Sequence, residues 1–143
     1  MLRWFPLLFI SILVYNLLAF IGAPIAGQDT DEFLARGVTF AMFSGDNWHF
    51  SIGDGLVLVS LALLFVEVLK STSTGATQVL NHAASMGTVI VALIEFLLVP
   101  GFSTSTYFFI FAMTVFDVVA GFTISIVAAK RDLGTTGGLI GTN

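Results

Sequence analysis

Apolar positions gather into four long stretches, Trp4 to Ile21, Ile52 to Leu69, Val79 to Val99 and Tyr107 to Ala129, separated by shorter polar connections. None of the four alternates polar and apolar residues as a lipid-facing barrel strand would. A helix needs about 20 residues to cross ~30 Å of hydrocarbon. Backbone groups in lipid are satisfied only within helices or closed barrels. The pattern therefore predicts an all-α, polytopic integral membrane protein: four transmembrane helices over about 4–21, 52–69, 79–99 and 107–129. They form one domain covering 1–132, followed by a glycine-rich tail over 133–143 that is expected to be flexible.

The first stretch also has features of a secretory signal, with Arg3 ahead of an apolar core and small residues at Gly22, Ala23, Ala26 and Gly27. No clean small-x-small pair ends it, and its core is at the long end for a signal, so it is read as a retained span. The connection 22–51 is the longest. Asp29 followed by Glu32 is the pattern of a capping box, and Phe33, Leu34, Val38, Phe40, Met42 and Phe43 make an apolar run after it. These predict a short helix lying at the outer interface, then a turn over 44–47. Trp4 and Trp48 suit anchoring at opposite interfaces. Ser71 to Thr77 is expected to be a short turn joining spans two and three as a hairpin. Pro100 to Ser103 is expected to be a tight turn, with Ser103 or Thr104 capping the last span.

Composition supports this picture and adds orientation. Hydrophobic residues make up 57% of the chain and charged ones 10%, against about a quarter charged in ordinary globular proteins. Mean hydropathy is +1.00. Cysteine is absent, which excludes disulfides, thiolate metal sites and cysteine nucleophiles. With a net charge of −4 and no basic block, nucleic acid is not an expected partner. Placing the N-terminus in the cytoplasm puts Arg3, Lys70, Lys130 and Arg131 inside and only Arg36 outside, as the positive-inside rule favours. Both termini are then cytoplasmic. In a bacterial cell the chain would lie in the inner membrane with 22–51 in the periplasm.

Charged groups within a bilayer are expensive and need partners or a purpose. Ser51 and Asp54 fit a capping box at the outer start of span two. Glu67 lies three residues before Lys70, the spacing of an ion pair on one helix face. It sits at the unfavourable end of the helix dipole, so a further partner is expected. Glu95, one turn from the outer end of span three, has no basic neighbour in sequence and needs a partner from elsewhere, from water or from protonation. Asp117 is the sharpest signal. It stands ~15 Å or more from either end of its span at 1.5 Å per residue, too deep for a short side chain to reach water.

Helical periodicity places Thr114, Asp117, Gly121, Ser125 and Ala128 in one stripe, and Asn81, Ser85, Thr88, Ala92 and Glu95 in another, with Gln78 and His82 at its border. Small and polar stripes are what close packing in lipid requires, and the two are expected to face each other or a shared interior. With the hairpin turn centred between Thr74 and Gly75, Asp54 falls level with Glu95 and Glu67 with His82; Ser60 and Thr88 lie near mid-depth and Asn16 somewhat outward. Asp54 and Glu67 lie on nearly opposite helix faces, so a straight wire through all the acids is not expected.

The leading expectation is a small oligomeric protein forming a proton or cation pathway lined by Asp117, Glu95, Glu67 and His82, with Asn81, Ser85, Thr88, Thr114, Ser60 and Asn16 supporting. Four short helices leave little room inside, so conduction is expected between subunits about a symmetry axis. The alternative is a non-catalytic accessory or assembly subunit of a larger membrane complex. No enzyme, cofactor or metal is expected: His49 and His82 fall on opposite sides of the membrane, and His82 with Glu67 makes only two ligands.

Two minor alternatives are a holin-like pore and an intramembrane protease. Phe116-Asp117 and Ser51-Ile52-Gly53-Asp54 resemble the Tyr-Asp and Gly-x-Gly-Asp motifs of intramembrane aspartyl proteases of the presenilin and signal-peptide-peptidase kind. The resemblance covers six residues. It has Phe for Tyr, Ser for the first Gly and the motifs in reverse order, and what it implies is catalysis by the pair Asp54 and Asp117.

Overall fold

The computed structural model describes the backbone of residues 5–71 and 76–137, and the side chains of these except 76–79, 128, 129 and 131–137. Four helices are long and apolar enough to cross a membrane, over Leu8–Ala26, Ile52–Lys70, Leu80–Leu98 and Ser105–Val127. The first comprises α1 (Leu8–Leu17), a π-helical turn at Leu18–Gly22 and α2 (Ala23–Ala26). The widened turn lies just ahead of Pro24, whose missing N–H removes one bond of the regular ladder. Gly27 ends this helix at φ 66°, donating to Pro24 O while Gln28 N donates to Ala23 O. This left-handed cap suits glycine.

The segment 22–51, on the side expected to be outer, departs from the expected interfacial helix. Inner and outer name the two ends of the bundle in that expected orientation. Helix α3 spans only Thr30–Leu34, and Asp29 occupies its N-cap without a side-chain capping bond. Strands β1 (Gly37–Ala41) and β2 (Asn47–Ser51) then form an antiparallel hairpin that pairs Gly37 with Ser51 and Ala41 with Asn47. The architecture is thus mostly helical with a small two-stranded sheet. Val38, Thr39 and Phe40 are β-branched or aromatic and favour a strand. Gly45, at φ 93°, closes the turn within the expected 44–47 segment. Gly37 is the point of closest approach, because a Cβ there would run into the Phe50 carbonyl.

Ser51 and Asp54 form the predicted capping box at the start of α4 (Ile52–Lys70). Helix α5 (Ala76–Leu98) follows, and the centre of the expected turn, 72–75, lies outside the described residues. Helices α4 and α5 do not pair closely as the expected hairpin. Each packs chiefly along α6 (Ser105–Gly137), which stands between them, and α1 touches all three. Gly121 explains how α6 and α5 come so close: a Cβ there would lie 2.5 Å from His82 Cε1. The α5–α6 turn has Gly101 at φ 84°, with Phe102 N donating to Val99 O. Thr104 caps α6 by accepting from Tyr107 N at 3.2 Å, and the α6 backbone stays helical through Gly137.

The core sits in the outer half, where the rings of Tyr15, Phe102 and Tyr107 pack with centroids 4.6 to 5.0 Å apart, against Ala92, Ile110 and Leu34. Leu13, Leu58, Phe65, Ile90, Leu97 and Phe116 are exposed. In a membrane this outward apolar surface faces lipid.

Candidate functional site

The polar groups of the spans lie mainly inside the bundle, in three layers. The inner layer is built on Glu67, which is 0% exposed. The i,i+3 spacing brings Lys70 Nζ to 3.0 Å from Glu67 Oε2. The further partner expected from the dipole argument is present twice: Leu7 N donates to Oε2 at 3.1 Å, and Asn81 Nδ2 donates to Oε1 at 2.9 Å. Lys70 also donates to Phe5 O. One carboxylate thus ties together the start of α1, the end of α4 and the inner half of α5. His82, expected level with Glu67, turns instead toward α6. Its Nε2 lies 2.8 Å from Ser125 Oγ and its ring stacks on Phe122.

The outer layer is built on Glu95. Asn16 Nδ2 lies 3.2 Å from both carboxylate oxygens, and the Tyr107 hydroxyl donates to Oε2. Asn16 was legible from its depth, whereas Tyr107 was missed. Its position at the outer start of the last span, antiparallel to span three, was the available signal. Tyr15 was missed as well; its hydroxyl donates to Gly101 O and shares a 2.7 Å hydrogen bond with Thr104 Oγ1. Above this layer is a cleft of about 630 Å³ lined in part by Gln28, Asp29, Asp31, Ser103 and Thr104.

Between these layers lies Asp117, 4% exposed, as its depth predicted. The two predicted stripes do meet. Thr114, Asp117 and Gly121 of α6 and Asn81, Ser85, Thr88 and Ala92 of α5 are all buried. The Ser85 hydroxyl lies beside the Asp117 carboxyl. No hydrogen bond of ordinary geometry joins Ser85 to Asp117: Ser85 Oγ and Asn81 Oδ1 are both buried without a partner. Thr88 and Thr114 donate to backbone carbonyls of their own helices, at Ala84 and Phe111. Ser60 does likewise to Leu56 O, apart from the α5–α6 face.

From Asn81 to Glu95 the α5 face rises ~21 Å at 1.5 Å per residue, most of the hydrocarbon thickness. It is polar except for one layer. Ala92 and Ile110, both fully buried, separate Thr88 and Thr114 from Glu95 over ~10 Å of helix.

Asp54 stands apart, exposed at the outer start of α4 and held by Ser51. The structure thus gives Asp54 and Asp117 separate surroundings. Among the described residues, no group of three or more His, Cys, Asp and Glu side chains is placed to hold a metal. His49 bonds Thr39 and the Ala35 carbonyl within the outer segment.

Compared with models of protein families, with curated proteins and with solved structures, the chain matches none.

Proposed function

We propose that the protein conducts protons or small cations across a membrane along the α5–α6 interior, with Asp117 as the central ion-handling group. One observation carries this reading: Asp117 is buried at mid-span and, among the described residues, no basic side chain forms an ion pair with it, whereas Glu67 at the inner end has Lys70. A buried carboxyl so placed is retained at a cost in stability. Protein-lined polar positions on both helices continue from it toward either side. The exposed faces of the spans are mostly apolar, which supports a route within the subunit over the expected one between subunits. The Ala92 and Ile110 layer then acts as an apolar gate, which conducts only when wetted.

The accompanying orientation puts both termini and Lys70 in the cytoplasm and the hairpin in the periplasm of a bacterial inner membrane, following the distribution of basic residues. A second reading, an accessory subunit of a larger complex or a homo-oligomer, is favoured by the hairpin. Val38, Phe40, Met42, Phe43 and Trp48 are all exposed there, a surface that an interface or a partner would cover.

Purified protein in liposomes holding a pH-sensitive dye tests the conduction reading. With a proton gradient and a clamped potential, vesicles containing the protein should dissipate the gradient at least ~10-fold faster than empty ones, a gap of 1.4 kcal/mol in barrier. Equal rates, repeated with sodium and potassium gradients, would exclude conduction and leave the accessory reading.

A further inference from the structure

We propose that the centre of the α5–α6 interior is a binding site for a small monovalent cation of sodium size, coordinated by the Asp117 carboxylate, Ser85 Oγ and Asn81 Oδ1. The site deepens the conduction reading and rests on it for its role, though not for its existence.

Donors and acceptors among these three side chains do not balance. Asn81 uses its Nδ2 on Glu67 Oε1, which fixes the amide so that Oδ1 is the free end. That oxygen and Ser85 Oγ are both buried without a partner. Asn81 and Ser85 are 6% and 3% exposed, and Asp117 is 4% exposed. Asn81 and Ser85 stand one turn apart on the same face of α5, the spacing that makes side chains neighbours, and Ser85 lies beside Asp117.

Buried polar atoms are almost always satisfied. Here the shortage is of donors. A proton on Asp117 supplies one O–H, and the Ser85 hydroxyl supplies another. Those two donors suffice only while Asp117 is protonated; once the carboxylate ionises, the Ser85 hydroxyl is the single donor for three acceptor groups. A cation satisfies all three oxygens together, because carboxylate, hydroxyl and amide carbonyl are the ligands that hard cations take.

Charge selects the valence. Lys70 neutralises Glu67 in the inner layer. His82 faces the same region but is joined to Ser125. Among the described residues the Asp117 carboxylate has no basic partner, so a single positive charge gives a neutral site in low dielectric, and a divalent ion would leave an excess charge there.

The test is thermal unfolding of the full chain in detergent, at one ionic strength and pH 7.5, in sodium, potassium or choline chloride. Sodium should raise the midpoint saturably by about 5 °C or more over choline, and potassium should raise it less. Asp117→Asn and Ser85→Ala should remove the sodium-specific rise. Ser85→Ala keeps the carboxylate and deletes one small buried hydroxyl, so a folded protein is available even if Asp117→Asn is not. Equal midpoints in sodium and choline, an equal rise with potassium, or a rise retained in both variants would overturn the site. Proton flux that persists unchanged in choline-only vesicles alongside equal midpoints would remove the sodium site and leave the pathway standing. A sodium-specific rise in a protein that conducts nothing would keep the site and remove the pathway.

Discussion

Glu67→Ala should lower the stability of the protein by about 3 kcal/mol or more, the low end of the cost of breaking a buried ion pair. Truncation leaves Leu7 N, Asn81 Nδ2 and the Lys70 ammonium without the carboxylate they share. Each donor lies in the inner half of the bundle, where desolvation without an acceptor costs ~1–3 kcal/mol. Lys70 is partly exposed and also reaches Phe5 O, which is why the low end is expected. Glu67→Gln keeps one acceptor oxygen and the side-chain volume, and should lose less than Glu67→Ala. Pairing Glu67→Ala with Lys70→Met removes the stranded charge and should recover part of the loss, a non-additivity expected of residues in contact. Unfolding in a mixed-micelle denaturant titration measures all three. A loss under ~1 kcal/mol for Glu67→Ala would show that the three donors are rehydrated and that the inner layer is no more than surface.

Asp117→Asn is expected to do the opposite: leave the fold intact and remove the flux. Asparagine matches the aspartate in shape and has no charge to desolvate, so stability should be unchanged or higher by up to ~2 kcal/mol. Its amide also supplies the donors that Ser85 Oγ and Asn81 Oδ1 lack. Without a titratable or charged centre between the two glutamate layers, the rate of gradient dissipation should fall at least ~10-fold, a barrier increase of 1.4 kcal/mol or more. A variant that is both destabilised and fully conducting would mean that Asp117 is there to pack helices.

The membrane spans were legible because twenty apolar residues in a row have few alternatives, and the ends of α4 matched the expectation to within a residue. The facing of α5 and α6 was legible too, since a 3.6-residue period assigns Asn81, Ser85 and Thr88 to one side and Thr114, Asp117 and Gly121 to one side. The Glu67–Lys70 pair and the Ser51–Asp54 box are local in sequence, and local spacing found them. What local reasoning missed is non-local. Helix α6 lies between α4 and α5, and its Gly121 leaves room for the His82 ring of α5. Tyr107 reaches Glu95 only once α6 returns antiparallel to α5. The outer hairpin was misread as helix because the acidic start at Asp29 to Glu32 does begin one. The β-branched and aromatic content after Gly37 then outweighs the apolar run that continued the helical reading.

Labelling of single cysteines during flux distinguishes an interior route from one between subunits, and the cysteine-free chain makes the experiment clean. Ser85 is buried on the α5–α6 face, while Phe116, one residue before Asp117, points outward at 63% exposure. A small cationic methanethiosulfonate reacts with hydrated, ionised thiols and not with thiols in hydrocarbon. Vesicles carrying Ser85→Cys should lose their flux on addition of the reagent, and those carrying Phe116→Cys should keep it. Block at Phe116→Cys with Ser85→Cys untouched would contradict the interior pathway and place conduction on the outer face of α6.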